Sequence, residues 1–205
     1  MTESPTIPFG TYRITRPIVG GNPFCGNSHF SAARSREMAA YYTPERVVEV
    51  LQRCERAGIN TVQARSDYQR VLYWLKLFRR EGGELQLVAQ TASEMHRIFQ
   101  SIRILAAAGA IGIYHHGSQA DRFWQAGKID EVEVYLKRMR DCGVQVGLGS
   151  HIPEVIQYVE EHDWDVDFYM ACLCNLSREK ARSSEAGTPS SESSTWLRTG
   201  TGYAA

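Results

Sequence analysis

Two stretches decide how this chain is read: 108-AGAIGIYHHGSQ-119 and 143-GVQVGLGSHIPE-154. Each passes from a glycine through a short apolar run of strand length to polar, titratable residues. The first ends at His115 and His116, the second at Ser150 and His151. An apolar run of this length is the mark of a strand covered on both faces. Successive strands ending in polar residues on the same side of the run point to a shared opening.

Working outward, the same unit recurs. In 43-TPERVVEVLQRCERAG-58, Thr43 is a good N-cap and Pro44 suits the first helical position. Val47, Val50, Leu51 and Cys54 then mark one buried helical face, and Gly58 supplies a stop. The strand-like INTVQARS follows. YQRVLYWLKLFRREGG leads into LQLVAQTA, and EMHRIFQSIRILAAAG into AIGIYHHG. IDEVEVYLKRMRDCG leads into VQVGLGSH, and PEVIQYVEEHDWD into VDFYMACLC. The helix-ending glycines are expected at Gly58, Gly83, Gly109 and Gly143, spaced by 25, 26 and 34 residues.

Helix, glycine and apolar strand repeated at this length imply a parallel sheet with helical crossovers. With RPIVGGNPF as an earlier strand, six strands are expected, starting near residues 17, 60, 85, 110, 144 and 166. The fold class expected is α/β, an incomplete (β/α)8 barrel of TIM type with about six parallel strands and helices outside. A doubly wound sheet is the alternative. No G-x-G-x-x-G follows a strand, and VGGNPFCG is expected to run into a long loop over 25–42. A complete barrel takes about 250 residues. The expected organisation is therefore a partial barrel over 1–178, C-terminally truncated, followed by a disordered Ser/Thr/Gly-rich tail over 179–205.

Composition narrows the function. Lys plus Arg and Asp plus Glu number 23 each among 205 residues, so there is no basic surplus to hold a nucleic acid. No apolar run reaches the ~20 residues that span a bilayer. Five cysteines without a Cys-x-x-Cys, and an N-terminus without a basic and apolar leader, suit a cytoplasmic protein. The expected partner is a small molecule, with self-association through the edge of the last strand (166-VDFYMACLC-174) where an unclosed barrel exposes it.

In a barrel, the site forms where strands end. The tips offer Asn22, with His29 in its loop, then Gln63, Arg65, Asp67 and Tyr68. After these come Gln90 and Thr91, His115 and His116, Ser150 and His151, and Cys172, Cys174 and Asn175. Side chains alternate along a strand, so one of His115 and His116 faces inward and the other outward. His116 is assigned inward, as an acid/base with Tyr68 or Asp67 as its partner. Asn22, Gln63, Gln90 and His151 are expected to bind and orient substrate. The two strand-tip cysteines are read as packing.

These residues carry a resemblance. Over roughly 11–165 the chain is similar to the aldo-keto reductase superfamily, through ITRPIVGGNPFCG, AGINTVQARSDY, LVAQTA, IGIYHHG and GKIDEVEVYLKRMRDCGVQVGLGSHIPEVIQYVEE in order. It also looks like a group of bacterial barrel proteins without an established activity. The reductase resemblance implies a barrel and a nicotinamide cofactor, NADP. It also implies a catalytic tetrad, whose tyrosine falls on Tyr68 and whose histidine falls on His116 or His115. Its aspartate position holds Gln63, and its lysine position falls on Gln90 or Thr91, so the tetrad is incomplete. A tyrosine without a nearby cation keeps its pKa near ~10, far from a neutral-pH acid.

Three functions follow as expectations. One is a barrel enzyme, oxidoreductase-like or acid/base, acting on or binding a small polar or carbonyl compound. A second is a metal-assisted hydrolase, lyase or isomerase, with a divalent metal on His29, His116, His151 and Asp67. A third is a non-catalytic truncated fragment. A Schiff-base aldolase is disfavoured, because the central lysines Lys76, Lys128 and Lys137 fall on helices or loops.

Overall fold

The computed structural model describes residues 4–28, 30–65, 70–92 and 97–171, together with the backbone of 196–197. An antiparallel hairpin comes first, β1 (Thr6–Phe9) and β2 (Tyr12–Thr15), turning at Gly10 with φ 59°. Six parallel strands follow in spatial order: β3 (Val19–Gly20), β4 (Thr61–Arg65), β5 (Gln86–Gln90), β6 (Ala110–His115), β7 (Gln145–Ser150) and β8 (Phe168–Ala171). The sheet curls, with helices on its outer side, as an incomplete TIM-type barrel. The sequence places these strands to within two or so residues of their starts. A two-residue β9 (Trp196–Leu197), within the segment read as tail, pairs antiparallel with β8; the rest of that segment lies outside the described residues.

The outer helices are α1 (Ala32–Tyr41), α2 (Pro44–Arg56), α3 (Val71–Arg80), α4 (Ile98–Ala107), α5 (Gly117–Gln125), α6 (Glu133–Arg140) and α7 (Pro153–Glu161), with a 3-10 turn at Ile129–Val132. Thr43 and Pro44 start α2 as expected, with the Thr43 hydroxyl accepting from the Arg46 amide. The main core lies between helices and sheet: Leu51, Val62, Leu75, Phe78, Leu87, Ile102, Leu105, Ile113, Met139, Val146 and Leu148 are all buried there.

Three expectations are corrected. The long loop over 25–42 contains α1, capped by the Ser31 side chain accepting from the Arg34 amide. The left-handed residue after α3 is Gly82, at φ 86°, rather than Gly83; Gly83 is needed because a Cβ there would run into the Phe78 ring. The strand at β6 is followed directly by a helix, α5, that the repeat does not reveal. It accounts for the longer spacing between Gly109 and Gly143.

The hairpin β1–β2 seals the end of the sheet where strands begin. The Asn60 side chain accepts from the Thr15 amide at 2.8 Å and donates to the Arg13 carbonyl at 3.0 Å. Gln86 donates to the same carbonyl at 2.8 Å. Phe9 and Ile14 thereby enter the concave face and pack with Val88, Ile111, Tyr114 and Phe168 as a second apolar cluster. The rings of Phe9 and Phe168 lie 4.9 Å apart. Glycines make the room: a Cβ on Gly112 would stand 2.8 Å from Phe9, and one on Gly147 would collide with Phe168.

Candidate functional site

At the opposite end, where strands finish, the described residues surround a cavity. Strand pairing aligns Arg65 with Gln90, Gln90 with Tyr114 and Tyr114 with Gly147. On β4 the outward residues Val62 and Ala64 belong to the helix-facing core, so Gln63 and Arg65 face the concavity. The same alternation sends Gln90, Tyr114 and His116 inward. Together with Asn22, Asn27, His151 and Met170, they line a cavity of about 360 Å³.

The two adjacent histidines part ways. His115 is 1% exposed on the helix side and stacks on Tyr135 of α6, with ring centroids 4.9 Å apart. Burial, and secondarily the neighbouring His116, push its pKa down to about 3, so it is a neutral ring. His116 faces the cavity and caps α5: its Nδ1 accepts from the Ser118 amide at 3.2 Å. Its own amide donates to the buried Thr91 hydroxyl at 3.1 Å. An acceptor Nδ1 fixes the tautomer with the proton on Nε2.

His151 is held differently. Its Nδ1 lies 2.6 Å from Oδ2 of Asp121 on α5. The other Asp121 oxygen accepts from the Ser150 hydroxyl at 2.6 Å and from the His151 amide at 3.2 Å. A bond to carboxylate makes Nδ1 the donor and leaves Nε2 for the cavity. That hydrogen bond raises the His151 pKa above the usual imidazole value, against the opposing effect of burial. Burial would raise Asp121, but the hydrogen bonds from His151 and Ser150 outweigh it and hold the carboxyl below its usual range. The close approach of α5 to β7 that allows this pair rests on two glycines. A Cβ on Gly149 would stand 2.9 Å from the Gly117 nitrogen.

At the cavity floor, Gln63 donates from Nε2 to the Tyr114 hydroxyl at 2.6 Å. Burial raises the Tyr114 pKa, and the Gln63 bond opposes it only in part, so the phenol stays protonated.

Of the residues singled out from sequence, Asn22, Gln63, Gln90, His116 and His151 are brought around one cavity, with Arg65 and Ser150. His115 is not among them. Asp67, Tyr68, His29, Cys172, Cys174 and Asn175 lie outside the described residues, as does the His116 partnership proposed for Asp67 or Tyr68. Sequence reasoning passed over two residues, Asp121 and Tyr114. Tyr114 shares His116's strand parity and could have been found from it. Asp121 lies on the unrecognised helix, 30 residues from His151 in sequence. Among the described residues no cluster of three His, Cys, Asp or Glu side chains is positioned to hold a metal ion, and no helix is long and apolar enough to cross a membrane.

The fold and cavity together define an incomplete TIM-type barrel with a polar mouth at the strand C-termini. No family model and no curated protein matches the chain. Among solved structures it is similar to one described as "QR15, an Aldolase", at TM-score 0.50 and 15% identity over 63% of this chain. The match covers 61% of that protein, so the chain spans less than two thirds of its length. Likeness at this level supports the barrel fold.

Proposed function

We propose that the mouth is an acid–base active site that moves a proton at a carbon next to a carbonyl, on a small polar compound. The observation that carries this reading is the His151–Asp121 pair, 2.6 Å apart at the cavity wall. Asp121 fixes the tautomer and orientation of the ring, and Nε2 of neutral His151 accepts the proton. The C–H electron pair becomes the C=C bond of an enolate, and the carbonyl π pair moves onto oxygen. The protonated Tyr114 hydroxyl and the Gln90 amide are the groups of the wall suited to receive that oxygen. Returning the proton from His151 to either carbon or oxygen completes the exchange.

This reading revises the allocation of roles made from sequence. His116 was assigned the proton transfer, but its Nδ1 is committed to capping α5, and protonating that nitrogen would cost the cap. His116 becomes a hydrogen-bond donor from Nε2, and His151 the acid/base. The reductase resemblance enters through shared barrel geometry. Gln63 stands where it implies Asp, and Gln90 or Thr91 where it implies Lys, which favours proton transfer over NADP-dependent hydride transfer. The structural neighbour named as an aldolase is compatible with chemistry at a carbon beside a carbonyl. The described lining holds no lysine, which points away from a Schiff base.

The test is deuterium uptake from D2O, followed by proton NMR, on hydroxyacetone, dihydroxyacetone and pyruvate. Exchange above the buffer rate in at least one, and lost in His151→Gln, is the result expected. Exchange absent from all three, or as fast in His151→Gln as in the wild type, would remove the basis of the reading.

A further inference from the structure

We infer that the mouth selects an α-hydroxy carbonyl compound, through a hydrogen-bond donor on Tyr114 and an acceptor on Gln63 set side by side; the inference rests on the reading of the mouth as a site for small carbonyl compounds. The pair stands at the cavity floor, where Gln63 Nε2 donates to the Tyr114 hydroxyl at 2.6 Å. That one bond fixes the polarity of both groups. A phenol has a single proton, and an oxygen that accepts from Gln63 turns its own O–H elsewhere. Tyr114 is 3% exposed, and burial keeps it protonated. No acceptor for that proton stands beside it among the described residues. A buried donor without an acceptor costs free energy that a ligand oxygen restores.

The carboxamide of Gln63 supplies the opposite group. Its Nε2 is committed to Tyr114, and its Oε1 has no partner among the described residues. Both atoms belong to one planar amide, so the acceptor lies within about 5 Å of the Tyr114 oxygen. A ligand carbonyl accepts the phenol proton, and a hydroxyl on the adjacent carbon donates to Oε1. A plain ketone leaves Oε1 unanswered. A 2-oxo acid sets a second acceptor against it, lone pair facing lone pair. A site built to bond a hydroxyl discriminates against the analogue that lacks one. Gln90, the register partner of Tyr114, lines the same wall and adds an amide donor for the carbonyl oxygen.

Binding is measured by ligand-observed NMR titration with hydroxyacetone, with 2-butanone, in which a methyl replaces the hydroxyl, and with pyruvate. Hydroxyacetone is expected to bind at least tenfold more tightly than either. In Gln63→Leu the preference over 2-butanone is expected to collapse to about twofold or less. In His151→Gln it is expected to persist, which separates this inference from the proton-transfer reading. Equal affinity for hydroxyacetone and 2-butanone in the wild-type protein would overturn it without recourse to any variant. Tighter binding of pyruvate, a preference that survives Gln63→Leu in folded protein, or no binding of any probe would overturn it as well. The preference without deuterium exchange would uphold the hydroxyl-reading pair and count against the acid–base function alone. Exchange without the preference would do the reverse.

Discussion

The two ends of the curled sheet are built on opposite principles. Where strands begin, the hairpin drives Phe9 and Ile14 against Val88, Ile111 and Phe168, and glycines 112 and 147 give up their side chains to admit the rings. Where strands finish, the same inward-facing rows carry Arg65, Gln90 and His116, and among the described residues the space between them is a cavity. The lesson lies in where free energy goes. One end is filled with apolar volume that stabilises the fold, while the other keeps polar groups oriented around a cavity they do not fill. Variants at the two ends should therefore separate stability from chemistry.

The largest effect on folding is expected from Phe168→Ala. It removes a fully buried ring from the plugged end and leaves a cavity, at a cost of about 3–5 kcal/mol. Denaturant titration would show it as a lower midpoint; a loss under about 1 kcal/mol would mean that the plug is not a packed core.

At the open end, His151→Gln is expected to lower proton-exchange turnover by about 10²–10⁴-fold while leaving the unfolding midpoint close to the wild-type value. Asp121→Asn should bring the His151 titration, followed by ring-proton NMR, back down toward the ordinary imidazole value, because the first cause of its rise is the Asp121 hydrogen bond. With neutral His151 as the proposed base, wild-type turnover should rise with pH through that titration. A His151 midpoint unmoved by Asp121→Asn would break the link between the pair and the chemistry.

The adjacent histidines sharpen the contrast through pH. His115 is neutral in the fold, with a pKa of about 3, but titrates near ~6.5 when unfolded. Below ~6.5 the unfolded chain binds a proton that the folded one refuses. Stability should then fall by up to about 1.4 kcal/mol per pH unit until the folded pKa is reached. His151 works the other way: its raised pKa gives stability that is present in acid and lost as pH rises through the folded value. Asp121, held low, adds stability above its unfolded pKa that is lost as pH falls through its folded one. His115→Leu should flatten the acid limb. It should also cost little at neutral pH, because neither ring nitrogen has a hydrogen-bond partner to lose among the described residues. An acid limb of unchanged slope would show that His115 is not its source.

The smallest effect is expected from Gln90→Ala in the mouth. Its side chain lines the cavity rather than filling the core, so the midpoint should move by about 0.5 kcal/mol or less. A shift as large as that of Phe168→Ala would erase the distinction between the two ends.

How far these features could be read from the sequence varies from element to element. The strands at β4 through β7 were legible, because each is a short apolar run between a glycine stop and a polar tip, and that pattern is local; β8 follows α7 without a glycine and was legible from its apolar run alone. The inward set Gln63, Gln90, His116 and His151 followed from strand parity and the polar tips. The hairpin β1–β2 was missed because TIPF and YRIT are too short to show a period, and only burial against the sheet gives them their role. Helix α5 was missed because 117-GSQADRFWQ-125 has few apolar residues, with Gly117 and Ala120 its only fully buried ones. The signal left over was the interval of 34 residues where its neighbours show 25 and 26.

By itself, then, the sequence determined the alternation of helix and strand, the parallel order and the polar ends of the strands, since each depends on residues a few positions apart. It also determined that His115 and His116 must face opposite sides, because a strand alternates. Only the tertiary structure decided what each polar group meets. The pairing of Asp121 with His151 spans 30 residues, and that of Gln63 with Tyr114 spans 51. Both are set by strand register and by backbone approach at Gly117 and Gly149, which no local pattern encodes. Proton affinity depends on those partners and on burial, so the chemistry of the mouth emerges only when the sheet has curled and brought them together.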